Sequence, residues 1–169
     1  MAVIVYDTIF NKNEWSILIS LLIGTIALYI LPQRFPGQVA NVFFLCGVFS
    51  GFFFDHTLSV QPVSYYDVND SSLFEFMDFV SYWMYGIFSY LFFYVLDRLR
   101  VQPSRIPLYV LIGSMISLGF EWLGVQVGIY HYTNGYTIWY SFPIYLTVET
   151  LWSVLYFRCR ANDKCRVST

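Results

Sequence analysis

Charge is what this chain lacks most. Asp, Glu, Lys and Arg supply 12% of its 169 residues, whereas a soluble domain carries about 25%. Water is therefore not its main solvent. Nine basic residues stand against eleven acidic ones, which leaves no basic surface of the kind that holds nucleic acid. Cysteine is scarce too. Cys46 lies in an apolar run, while Cys159 and Cys165 sit in a basic tail. None has the paired spacing of a zinc site or a disulfide framework, so all three are expected as free thiols. Walker loops, dinucleotide fingerprints, nucleophile elbows and catalytic-triad patterns are missing. So are internal repeats, including the inverted halves that many transporters show. The first basic residue is Lys12, and Asp7 comes early, so a cleavable leader is not expected at the N-terminus.

What the chain has instead is apolar length. Hydrophobic residues make up 57% of it and aromatic residues 22%, with 17 Phe and 15 Tyr. A helix needs roughly 20 mainly apolar residues to cross a bilayer, and residues 15–31, 38–58, 73–96, 106–129 and 137–157 meet or approach that length. Breakers stand between them: Pro32 and Pro36, Pro62, Pro103, then Asn134 with Gly135. The expected fold is all-α, one transmembrane domain over residues 1–169 built as an integral membrane bundle of about five helices. Loops rich in Lys and Arg stay cytoplasmic. An N-out, C-in arrangement puts Arg34, Arg98, Arg100, Arg105, Arg158, Arg160, Lys164 and Arg166 inside and leaves only Lys12 outside. The lipid bilayer is the expected partner, and a multi-pass place in a cell membrane the expected location.

Five acids fall inside those apolar stretches: Asp55, Glu75, Asp78, Glu121 and Glu149. No Lys or Arg shares the stretches with them. A carboxylate in hydrocarbon costs at least about 2.5 to 3.5 kcal/mol, so each acid must face the bundle interior, meet water, or hold a proton or a cation. Helical spacing supports an interior position. Gly47, Gly51 and Asp55 fall at i, i+4 and i+8. Glu75, Asp78, Tyr82, Tyr85, Gly86 and Ser89 share one arc of the third stretch. Gly113, Ser117, Glu121, Gly124 and Gly128 share one of the fourth, and Ser141, Tyr145, Glu149 and Ser153 one of the fifth. Small residues let membrane helices approach closely, so these stripes read as packed seams with the acids between them.

Depth along the helices places Asp55, His56, Glu75, Asp78, Glu121 and His131 toward the outer face, with Glu149 near the midplane. The expectation is one outward-opening pocket fed by four helices. Glu121 and Asp78 are its candidate catalytic groups, as acid and base or as proton carriers. Asp55, Glu75, His131, Tyr82 and Glu149 are candidate ligand-binding groups. Asp55, His56, Asp78, Glu121 and His131 supply oxygen and nitrogen donors for a divalent metal, the cofactor this donor set allows, although no local ligand motif such as H-E-x-x-H is present. Three of the acids also have a structural reading. Glu75 can cap its helix after Ser71 and Ser72, Glu121 can hydrogen-bond a tyrosine, and Glu149 has Tyr145 and Ser153 beside it.

The run FEWLGVQVGIYHYTNGYTIWYSFPIYL, with Glu121, Trp122, Gly128, Tyr130, Asn134, Gly135, Trp139 and Phe142, resembles a family of small, uncharacterised polytopic membrane proteins of spore-forming Gram-positive bacteria. Asp78, early in the third stretch, fits the same pattern. That resemblance implies a bacterial cytoplasmic membrane and brings no activity. More distantly, EWLGVQVGIYHY is similar to a stretch of membrane enzymes that cyclise or hydrate carotenoids, which would make Glu121 an acid acting on a lipid-like substrate. Two functions therefore stand open. One is an enzyme or binding protein for a lipid-like or cationic ligand. The other is a non-catalytic transporter component or membrane assembly partner, whose acids meet a cation on a partner subunit or in an oligomer.

Overall fold

A computed structural model of the chain describes residues 3–60, 62 and 64–161. Its frame is five long helices: α1 (Lys12–Ile30), α2 (Gly37–Leu58), α3 (Phe76–Arg98), α4 (Ile106–Val127) and α5 (Ile138–Ala161). Each boundary has a local cause. Asn11 caps α1 while Glu14 reaches back to the Asn11 amide at 2.7 Å, a reciprocal pair that fixes the first turn three residues before the expected Trp15. Pro36 leads into α2. The third helix starts at Phe76 and not at Leu73, because Glu75 takes the capping position and its amide is held by Asp78 Oδ2 at 2.7 Å. The fourth ends at Val127, since Gly128 turns left-handed at φ 87°.

α3 is the central helix, packed against α1, α2 and α5, while α4 pairs with α5. The expected small-residue seams are the close contacts. A methyl group at Gly47 would overlap the Tyr85 carbonyl of α3, and one at Gly113 would overlap the Glu149 carboxylate of α5. The backbones can approach only because those side chains are absent.

The long helices are not the whole architecture. The segment after α4, before the break at Asn134 and Gly135, forms strand β2 (Tyr130–Tyr132), which pairs antiparallel with β1 (Tyr66–Val68) in the register Tyr66 to Tyr132, Asp67 to His131 and Val68 to Tyr130. The N-terminal segment lies beside this ribbon: Val5 bridges Ser71, and the Tyr6 amide donates to the Asp70 carbonyl at 2.7 Å. Together they cap the end of the bundle where α2 and α4 finish and α3 and α5 begin. At the opposite end Phe35, Phe43, Phe93, Leu96 and Tyr156 make a buried cluster. Beside it Asp97 takes Arg34 at 2.6 Å and the Tyr156 hydroxyl at 2.8 Å.

The surface is apolar where a soluble protein would be polar. Leu22, Ile23, Phe49, Trp83, Ile112, Ile116, Trp122 and Leu151 are exposed, while Glu14, Asp55, Asp78, Glu121 and Glu149 are buried. Helices α1 to α4 are each long and apolar enough to cross a membrane. α5 has the length, 24 residues, or about 36 Å at 1.5 Å per residue. Ser141, Glu149 and Ser153 make it the more polar helix, and they are buried. Cys46 is a free thiol as expected. Cys159 corrects the expectation for the tail, because it is disulfide-bonded. Cys165, Lys164 and Arg166 lie outside the described residues.

Candidate functional site

Asp55 sits in the last turn of α2, the seam face of that helix turning it inward behind Gly47 and Gly51. It is 9% exposed. Its Oδ1 accepts the Tyr66 hydroxyl at 2.8 Å, and its Oδ2 has no hydrogen-bond partner. Across from it, Asp78 in the first turn of α3 is also buried and is fully engaged: Oδ1 takes the Asn69 side-chain amide at 2.6 Å, and Oδ2 takes the Glu75 amide. Tyr82, one turn further along α3 on the same face, lies close enough to feel both acids and turns its hydroxyl toward the Asp55 carboxylate without making a hydrogen bond of good geometry. These groups line a cavity of about 50 Å³ whose wall also includes His56, Ser59, Ser71 and Phe74. Among the described residues no Lys or Arg lines it.

The ribbon makes this arrangement. Strand alternation points Tyr66 and Val68 into the core with Ile17 and Ile129, and the turn at Asn69, with φ 57°, swings its amide onto Asp78. The Tyr66 phenol is pushed well above its ordinary range, first by burial and then by the Asp55 charge. It therefore stays protonated and keeps donating. Asp67 faces the other side of the ribbon, where its Oδ2 accepts Tyr6 at 2.7 Å. Burial, with Asp67 adding to it, pushes the Tyr6 hydroxyl up to about 12.

The remaining expected site residues lie in other arrangements. Glu121 does not open into the Asp55 cavity. Its Oε1 accepts Tyr132 and Ser141, each at 2.6 Å, and its Oε2 accepts Tyr145 at 2.8 Å. Three hydroxyls from β2 and α5 thus saturate one carboxylate on α4, which ties those elements together. Glu149 is held between Ser114 at 3.2 Å and Ser117 at 3.0 Å on α4. Ser153, expected beside it, donates to its main-chain carbonyl instead. Glu75 caps α3, and its side chain accepts Ser71 at 2.6 Å. His131 stacks flat on Tyr6, with ring centroids 3.8 Å apart. His56 stacks on Phe52 at 4.0 Å and keeps its Nδ1 within 2.9 Å of the Phe52 carbonyl oxygen.

Two expectations change as a result. The single pocket divides into an open Asp55–Asp78 site and a closed Glu121 knot, with the paired hydroxyls of Tyr85 and Tyr130 between them. The metal set Asp55, His56, Asp78, Glu121 and His131 is not assembled: among the described residues no three His, Cys, Asp or Glu side chains converge closely enough to hold an ion. Sequence reasoning missed Tyr66 and Asn69, which position the two acids. Their signal was a three-residue strand in the loop between the second and third apolar stretches, too short for period-2 alternation to register.

No protein-family model, curated protein or solved structure matches the chain.

Proposed function

We propose that this is an integral membrane protein whose five helices cross the bilayer with the β-capped end outward, and that it binds a small cation between Asp55 and Asp78. The observation that carries the binding function is the bare Oδ2 of Asp55. It is buried, lines a cavity, and accepts no well-formed hydrogen bond, although the Tyr82 hydroxyl stands beside the carboxylate. A buried polar atom left without a partner costs about 1–3 kcal/mol, more when charged. A cation entering the cavity removes that cost and neutralises an acid that no described side chain neutralises.

Support for the membrane comes from the inverted distribution of polarity. Exposed apolar residues run the length of α1, α2 and α4, far beyond the few hundred Å² that a soluble monomer leaves open. The direction follows from Arg34, Arg98, Arg100 and Arg105, all at the end away from the ribbon. The Glu121 knot favours a structural role for that residue over acid catalysis on a lipid-like substrate, since all three hydroxyls point at the carboxylate.

Two measurements test this reading. Single cysteines placed at Ser72 and Ser104 in a background lacking the native cysteines should label from outside and from inside intact cells, respectively. Purified protein should be stabilised against heat by at least one member of a panel of sodium, potassium, calcium, ammonium and methylammonium chlorides. Asp55→Asn should abolish the effect. A panel that leaves the folded wild-type protein unmoved refutes cation binding.

A further inference from the structure

Resting on that reading of the cavity, the geometry points to a ligand class: we infer that the Asp55–Asp78 pocket takes a primary ammonium group in preference to a metal ion. A bare calcium ion asks for six to eight oxygen ligands and magnesium for a near-ideal octahedron. The pocket offers two carboxylates and the hydroxyls of Ser59, Ser71 and Ser72, and each oxygen of Asp78 already accepts one hydrogen bond, which leaves fewer free oxygens than such a shell needs. Much of its wall is carbon. Val60, Val68 and Leu73 line it, and so do three rings, His56, Phe74 and Tyr82.

Those rings form a triangle. Phe74 and Tyr82 stand 6.2 Å apart between centroids, His56 and Phe74 5.6 Å, and His56 and Tyr82 6.4 Å. An ammonium uses both kinds of wall. Its three N–H groups are donors without any acceptor, matching the Oδ2 of Asp55, which accepts no well-formed hydrogen bond, and the remaining lone pairs of the Asp78 carboxylate. Its positive charge is attracted to ring faces within about 6 Å. A metal ion gains little from the rings and would have to shed water for them.

The arrangement is also graded from floor to mouth. Tyr82 is 2% exposed and Asp55 and Asp78 are buried, while Phe74 is 58% exposed and His56 is exposed. The charge is thus met at the bottom, and a carbon chain on the nitrogen would leave between Phe74 and His56. One water needs about 10–15 Å³ of such space, so 50 Å³ is room for an ammonium with one or two carbons, and a trimethylated nitrogen, having no N–H, would leave the carboxylates without a donor. The amine can be a free molecule or the headgroup of an aminophospholipid, because the cavity wall itself includes the exposed apolar residues Leu73 and Phe74.

The test is calorimetric titration of the full chain, first in detergent without aminolipid, with methylammonium, ethanolamine, tetramethylammonium, sodium and calcium as chlorides. Methylammonium and ethanolamine should bind at least tenfold more tightly than the other three, and Asp55→Asn should lower that affinity at least tenfold. Phe74→Leu, at an exposed position that does not threaten folding, should lower it threefold or more, while Phe74→Tyr preserves it. The titration is then repeated in nanodiscs. Loss of ethanolamine binding in phosphatidylethanolamine discs but not in phosphatidylcholine discs assigns the lipid headgroup, and retention in both assigns a free amine; each supports the ammonium site. Sodium or calcium binding that depends on Asp55, with no response to either amine, overturns this inference and leaves the small-cation reading standing. No binding by any of the five to folded protein overturns both.

Discussion

Replacing Glu121 by Gln separates the two roles that a buried acid can play. In this structure Oε1 accepts two hydroxyls and Oε2 accepts one, from Tyr145 at 2.8 Å. A glutamine keeps the first oxygen and turns the second into an NH₂ donor facing Tyr145. One charge-assisted hydrogen bond is lost, worth about 1.5–3 kcal/mol. For a chain of this size each kcal/mol moves the melting temperature by about 2–4 °C, so Glu121→Gln should lower it by roughly 3–12 °C. The assay is thermal unfolding in a fixed detergent, followed by tryptophan fluorescence. Tyr145→Phe removes the same bond from the other side. The two changes should therefore overlap: on the Tyr145→Phe background, Glu121→Gln should cost little more, because its partner has already gone. Full additivity of the two, or a Glu121→Gln protein that melts with the wild type, would refute the knot and return Glu121 to the list of chemically active acids.

Two further outcomes follow from the cap and the seams. Asp70 accepts the Asn13 side chain and lies against Glu14 and Asp7. Burial first, and then the Glu14 carboxyl, raise it above the ordinary carboxylate range. A raised acid binds its proton more tightly folded than unfolded, so its stabilisation is complete at pH values below the unfolded value and is lost as pH rises through the folded one. Exchange protection of the Tyr6 and Ser72 amides, corrected for intrinsic rates, should fall as pH rises from 4 to 7, and Asp70→Asn should flatten that slope; a slope that the substitution leaves unchanged counts against it. Gly47→Ala should destabilise by about 1–3 kcal/mol, the usual cost of overpacking, since its methyl meets the rigid Tyr85 carbonyl. Ala at Gly119, where a methyl meets open space, should be near neutral in the same melting assay, and equal effects at both sites would contradict the seam.

The sequence by itself determined the long apolar helices and their seams, because these depend on short-range regularities. Apolar length, prolines and Asn134-Gly135 mark where helices run and stop, and a spacing of 3.6 residues puts Gly47, Gly51 and Asp55, or Ser117 and Glu121, on one face regardless of what they meet. It also marked the buried acids, since a carboxylate in an apolar run must turn inward. What each acid meets was decided only by tertiary structure. Asp55 and Glu121 look alike in the chain, each behind a stripe of small residues. One is left with a bare oxygen facing a cavity, and the other is closed by three hydroxyls. The difference is made by Tyr66, Asn69 and Tyr132, carried on a ribbon that pairs residues 66–68 with 130–132. That pairing joins segments more than 60 residues apart through main-chain hydrogen bonds. Because those bonds involve no particular side chain, no local pattern announces them, and the partner of each acid emerges only when the helices have brought the two loops to the same end of the bundle.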